Sequence, residues 1–148
     1  MKKMLVWCLL GLCTGLSSYA AEPTAEDLIK YRQSGMSAIG SHMGAASQIL
    51  RGQVAYKHLQ QHADSLAAML GLAGDIFPAG SREGDTNALS AIWEKPTEFA
   101  AALKQAQDAA SAYRTAVSGG DPAAIGNAMR NLGGSCKGCH DDFRKPLE

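Results

Sequence analysis

The composition of this 148-residue chain is that of a single folded domain. Hydrophobic residues make up 46% and charged residues 19% of the chain, a balance that excludes an intrinsically disordered protein. The 14 basic and 14 acidic side chains cancel, which argues against binding of nucleic acid or anionic membranes through bulk charge.

Residues 1–20 have the layout of a secretory signal peptide. Two lysines precede an apolar run over 4–16, and small residues lie at positions 18 and 20. The run is too short for a typical membrane span, which disfavours a retained anchor. A lipoprotein anchor on Cys13 fits poorly because Leu12 precedes it. We expect cleavage after about Ala20 and, in a Gram-negative cell, a periplasmic mature chain of residues 21–148 with no membrane attachment.

Apolar residues at spacings of three and four predict four helices in the mature chain. No segment shows the alternation of a β-strand. In chain order the helices run from Thr24 or Ala25 to Gly52, from about Ala55 to Leu72, from a cap at Thr97 behind Pro96 to Gly119, and from a cap at Asp121 to Pro146.

The lengths of the connections indicate how these helices are arranged. Two of the three are short, which favours an all-α, antiparallel four-helix bundle. The third, over 74–96, is rich in Gly, Pro, Ser, Asp and Asn, with one short helical turn expected over 88–93. Long loops in compact domains often serve a functional site, so we expect this loop to lie beside one.

The last predicted helix carries Cys136-Lys137-Gly138-Cys139-His140, the C-x-x-C-H attachment motif of c-type haem. Residues three and four apart share a helix face. Two thiols on that face can form thioethers with one haem, and His140 can bind its iron from the same side. The motif therefore predicts one covalent haem c, and any ligand on the opposite side must come from the first three helices.

Three other uses of these cysteines explain the sequence less well. A dithiol redox site normally follows a strand in a βαβ unit, which is missing from this pattern. Structural zinc needs four ligands, whereas the motif supplies at most three and no other histidine has a typical spacing. A disulfide between Cys136 and Cys139 would close too short a loop to stabilise much.

The chain resembles cytochrome c′, a class II c-type cytochrome. The matching elements are Lys30-Tyr31-Arg32-Gln33 with Met36, Ile92-Trp93 after the loop, and the motif with the following residues as far as Arg144. The resemblance implies a four-helix bundle, often a homodimer through the first two helices, with high-spin haem. It also implies binding of NO or CO and a role in electron transfer or nitric oxide handling rather than enzymatic catalysis.

Four further residues belong to the predicted haem environment. Arg32 interrupts an apolar stripe and is either a surface arginine or the partner of a haem propionate, and the resemblance favours the propionate and adds Gln33 beside it. By the same resemblance Asp85 approaches the haem edge, although a solvated turn residue remains an alternative. Arg144 shares a helix face with His140, where it is a proximal-side cation or a favourable charge at the helix end.

The side chain of Met36 separates two hypotheses for function. As a bulky apolar group it would crowd the distal face of a five-coordinate iron and leave NO or CO as ligands. As an iron ligand it would create a six-coordinate, low-spin His/Met electron carrier. We expect crowding. A peroxidase-like enzyme is disfavoured because the stripe around Met36 offers no polar residue as a distal acid or base.

Overall fold

The computed structural model describes residues 22–55 and 57–146 and shows the expected all-α, four-helix bundle. The predicted signal peptide lies outside these residues. None of the helices in the described part of the chain is both long and apolar enough to cross a membrane. The helices are α1 (Ala25–Leu50), α2 (Leu59–Leu72), the short α3 (Ala91–Glu94), α4 (Pro96–Gly119) and α5 (Pro122–Phe143), with a 3₁₀ turn at Ala79–Ser81.

The predicted N-terminal caps of α1 and α5 are confirmed, whereas the predicted starts of α2 and α4 differ from the structure. Thr24 caps α1 in a capping box with Asp27, and Asp121 caps α5. Thr97 is not a cap, because Pro96 already occupies the first helical position, where its missing N–H costs nothing. Helix α2 begins four residues later than predicted, since residues 51–54 form turns and bends after α1 and residues 55, 57 and 58 are not helical.

Helix α5 ends at Phe143, before the predicted stop at Pro146, because Arg144 adopts an extended backbone. Arg144 forms an isolated β-bridge with Ala88 of the long loop. The N–H of Leu89 donates to the carbonyl of Phe143 at 3.0 Å, and the N–H of Lys145 donates to Asn87 at 2.8 Å. These bonds fasten the loop to the end of α5, so the loop covers one end of the bundle.

The hydrophobic core lies between α1 and α2, α2 and α4, and α4 and α5. Leu66 of α2, Tyr113 of α4 and Leu132 of α5 are fully buried there. Burial of each such leucine stabilises the fold by about 1.5–3 kcal/mol relative to exposure. Within the described ranges α1 and α5 do not form a packed pair of this kind, although they complete the ring of four helices. A gap is therefore left between the first and the last helix.

Gly84 holds the long loop against α1. Its φ of +134° is rarely adopted by L-residues, and a Cβ atom there would lie 2.8 Å from Cδ1 of buried Ile29. Gly84→Ala should therefore destabilise the protein by about 1–3 kcal/mol, measured as a lower urea midpoint at unchanged slope. Gly80→Ala is the matched control, because its φ is ordinary and its Cβ would lie 3.5 Å from Leu28. We expect a control effect within about 0.5 kcal/mol; equal losses in both variants would contradict this role of Gly84.

Candidate functional site

A cleft occupies the gap between α1 and α5. Its volume is about 230 Å³, well above the roughly 10–15 Å³ that a single water molecule needs on the same measure, so it is large enough for a ligand. The long loop and α4 complete its walls. Those walls are mainly apolar, with contributions from Met36, Phe77, Ile92, Phe99, Leu103 and Phe143. Apolar walls with a few polar groups are typical of cofactor sites.

The C-x-x-C-H motif lies on the α5 side of this cleft. Cys139 and His140 line the cleft, while Cys136, one turn earlier, is half-buried against the bundle core. The two cysteines do not form a disulfide. No three His, Cys, Asp or Glu side chains in the described part of the chain are arranged to hold a metal ion by themselves. The geometry thus sets aside the disulfide and zinc alternatives and leaves two thiols beside an imidazole.

The surroundings of His140 favour its neutral, ligating form. Burial lowers the pKa of its imidazole, and the positive charge of Arg144 lowers it further, with Asp141 opposing. A neutral imidazole keeps the lone pair that a metal ion requires. Burial likewise raises the pKa of Cys136 and Cys139, so both are thiols at neutral pH.

Arg32 is buried on the α1 side, with only 3% of its surface exposed, so it is not a surface arginine. Its guanidinium donates to Ser81 Oγ at 2.5 Å, to the Ser81 carbonyl at 3.1 Å and to Thr86 Oγ1 at 2.8 Å. All three acceptors are neutral, and no carboxylate in the described ranges forms an ion pair with it. Buried charges are normally paired, so Arg32 supplies the cleft with an uncompensated positive charge.

Gln33 and Asp85 lie at the edge of the cleft. Gln33 lines it and donates from Nε2 to the main-chain carbonyl of Asp85 at 2.9 Å. Asp85 itself is exposed and does not line the cleft, whereas the next residue, Thr86, does. The contact that the structure records for Asp85 thus involves its backbone, and the proximity of its carboxylate to a haem stays a prediction.

Several functional neighbours were not identified from the sequence. Ser81 and Thr86 hold Arg32 from positions 49 and 54 residues away, and no local pattern marks such distant partners. Trp93, one of the residues that carry the family resemblance, packs over Arg32 at 5.9 Å and donates from Nε1 to the carbonyl of Phe77 at 3.0 Å. The Phe77 ring lies 5.2 Å from the same guanidinium. These aromatic contacts fix the position of the buried cation.

The residues around the cleft fit haem c. Its apolar macrocycle matches the apolar walls, and its anionic propionates match the unpaired charge of Arg32. Two thiols and an imidazole on one face of α5 match the two covalent links and the iron ligand. A further observation is independent of the motif: Arg144 Nε, beside His140, is buried without a hydrogen-bond partner. Such an orphaned donor is uncommon in a complete protein interior.

Comparisons with known proteins agree with this site. The family model described as Cytochrome C' matches residues 27–144. Cytochrome c′ of Pararhodospirillum photometricum is 38% identical over 122 residues, covering 81% of this chain and 98% of the relative. The structure of cytochrome c prime from Shewanella frigidimarina aligns with a TM-score of 0.78 at 34% identity, covering 84% of this chain and 99% of the other.

A third similar structure is a nitric oxide complex of a cytochrome c prime variant from Alcaligenes xylosoxidans. It aligns with a TM-score of 0.77 at 30% identity and covers 83% of this chain and 98% of the other. The match to the family model includes both sides of the cleft, from α1 to Arg144. The resemblance inferred from the motifs is thereby confirmed, and this haem-binding chain belongs to the cytochrome c′ family.

Proposed function

We propose that this protein is a periplasmic cytochrome c′ that binds NO or CO and takes part in electron transfer. One haem c would be held by thioethers to Cys136 and Cys139, with His140 as the iron ligand from the protein. The observation that carries the proposal is the shared cleft, in which Cys139 and His140 on α5 face the same space as Met36 on α1.

Each side chain that lines the cleft has a separate role in the proposed function. When bound, haem supplies an iron that changes between ferric and ferrous states and accepts a diatomic ligand. His140, neutral at pH 7, provides the proximal nitrogen, and Arg32 neutralises propionate charge inside the protein. Arg144 lies beside His140 and holds down the pKa of its imidazole. Met36 fills space on the opposite wall and restricts the size of any ligand there.

Other observations support the remaining parts of the proposal. The signal-peptide pattern of residues 1–20 supports export, and the similar nitric oxide complex supports NO as a ligand.

An apolar groove lies between α1 and α2. Tyr31 and Leu72 flank it, with 68% and 56% of their surface exposed, and this supports a homodimer through these helices. Sedimentation of a monomer alone at micromolar concentration would contradict the dimer.

Covalent attachment is the first testable consequence. The haem of the wild-type mature protein should stay with the polypeptide through acid–acetone extraction, because two thioether bonds survive denaturation. In the Cys136→Ala/Cys139→Ala variant the haem should pass into the organic phase. Absorbance of the two phases at the Soret band measures the partition, and extractable haem in the wild type would refute the attachment.

Replacement of Met36 tests the distal face. If Met36 crowds the sixth position, Met36→Ala should speed CO binding to the ferrous protein by about tenfold, equivalent to roughly 1.4 kcal/mol in the barrier. The resting ferric spectrum should be high-spin in both proteins. Met43→Ala is the matched control, because Met43 packs against the same core but does not line the cleft. Its CO rate should stay within about twofold of wild type.

The alternative function gives the opposite spectroscopic result. A thioether bound to iron makes the resting protein low-spin, and its removal would make the iron high-spin. A low-spin resting spectrum that becomes high-spin in Met36→Ala would therefore refute gas binding at an open site. It would instead identify the protein as a six-coordinate electron carrier.

A further inference from the structure

Three of the four histidines of the sequence lie outside the haem site, and all three are at one boundary between helices. His42 lies in the second half of α1, and His62 lies in the first half of α2. His58 immediately precedes α2, where its carbonyl accepts the N–H of His62 at 3.2 Å. Neither the proposed gas binding nor the proposed electron transfer uses these side chains.

His42 and His62 bring two ring nitrogens together. Their Nδ1 atoms are 3.0 Å apart, with ring centroids separated by 5.3 Å and planes inclined by 59°. Each ring is half-buried and is carried by a different helix of a packed pair. The separation is therefore set by the packing of α1 on α2, and the pair is largely preorganised.

Two readings explain nitrogens this close. In one, a neutral imidazole donates its proton to the other, which is a simple hydrogen bond. In the other, both nitrogens direct lone pairs at one metal ion. At a metal–nitrogen distance of about 2.0 Å, nitrogens 3.0 Å apart subtend an angle of roughly 97° at the metal. An angle of this size suits two neighbouring ligands in either a tetrahedral or a tetragonal complex, so the spacing admits a metal ion. The affinity order of imidazole ligands then selects which ion it is.

We propose that His42 and His62 form a binding site for one Cu(II) ion, with water in the remaining positions. Cu(II) is the divalent first-row metal that imidazole ligands bind most tightly. The site has two protein ligands only, since no group of three metal-binding side chains is assembled in the described ranges. His58 is exposed and lies one turn from His62, outside the 3.0 Å pair.

The electrostatics of the pair are compatible with metal binding at neutral pH. Burial lowers the pKa of His62, and the neighbouring His42 and His58 lower it further. His62 is therefore neutral at pH 7, and its lone pair is available without the loss of a proton.

The test is a titration of the haem-loaded mature protein with Cu(II) at pH 7 in the presence of a competing chelator. Wild type should bind one tight equivalent, and its electron paramagnetic resonance spectrum should show superhyperfine coupling to two nitrogens. His42→Gln and His62→Gln should each weaken binding at least tenfold. His58→Gln is the matched control and should stay within about twofold, because it makes the same change one turn away. An unchanged Soret band verifies the fold of each variant.

Two outcomes would overturn the site. Unchanged Cu(II) affinity in His62→Gln would show that copper binds elsewhere on the chain. If His58→Gln and His62→Gln weaken Cu(II) binding equally, the ligands are His58 and His62, one turn apart at the start of α2, and not the pair across α1 and α2. If His42→Gln disturbs the packing of α1, the comparison of His62→Gln with His58→Gln still decides between these outcomes, because both changes lie at the start of α2. None of them depends on the haem ligand set, so the proposed function is tested separately.

Discussion

The structure depends on a gap that the protein itself does not fill. Three of the four neighbouring helix pairs in the ring pack through leucines, alanines and a tyrosine, whereas α1 and α5 remain apart. Protein interiors are normally close-packed, so such a gap destabilises a small domain unless a ligand occupies it. The C-x-x-C-H motif lies on α5 along this gap. On the proposed function, a haem attached to this motif would supply the missing contact between the first and last helices and would contribute to the fold.

The same constraint explains the long connection between α2 and α4. The loop brings Ser81 and Thr86 to the buried guanidinium of Arg32 and is itself fastened to α5 by the bridge between Ala88 and Arg144. One segment therefore connects both sides of the cleft. The loop holds the positive charge of Arg32 inside the protein, where an anionic group must balance it. The cleft between α1 and α5 thus requires a ligand both to fill its volume and to neutralise this charge.

Much of this arrangement could be predicted from the sequence, and the reasons are local. Asp121 followed by proline marks the start of α5, and the spacing of Cys136, Cys139 and His140 requires one helix face. The partners of Arg32 could not be predicted, because irregular loops have no periodicity that relates them to distant helices. The cap at Thr97 was predicted wrongly because a proline at the first helical position outweighs a neighbouring hydroxyl. The histidine pair depends on the register of α1 against α2, which no single-helix pattern reveals.

Hydrogen exchange tests most directly whether haem is the missing contact between α1 and α5. The comparison is between the haem-loaded mature protein and the Cys136→Ala/Cys139→Ala variant after removal of haem. The account predicts that amides within 29–39 of α1 and 136–143 of α5 exchange at least tenfold faster without haem, while those within 63–70 and 106–113, at the packed boundary of α2 and α4, keep their protection. Equal protection of α1 and α5 with and without haem would contradict it.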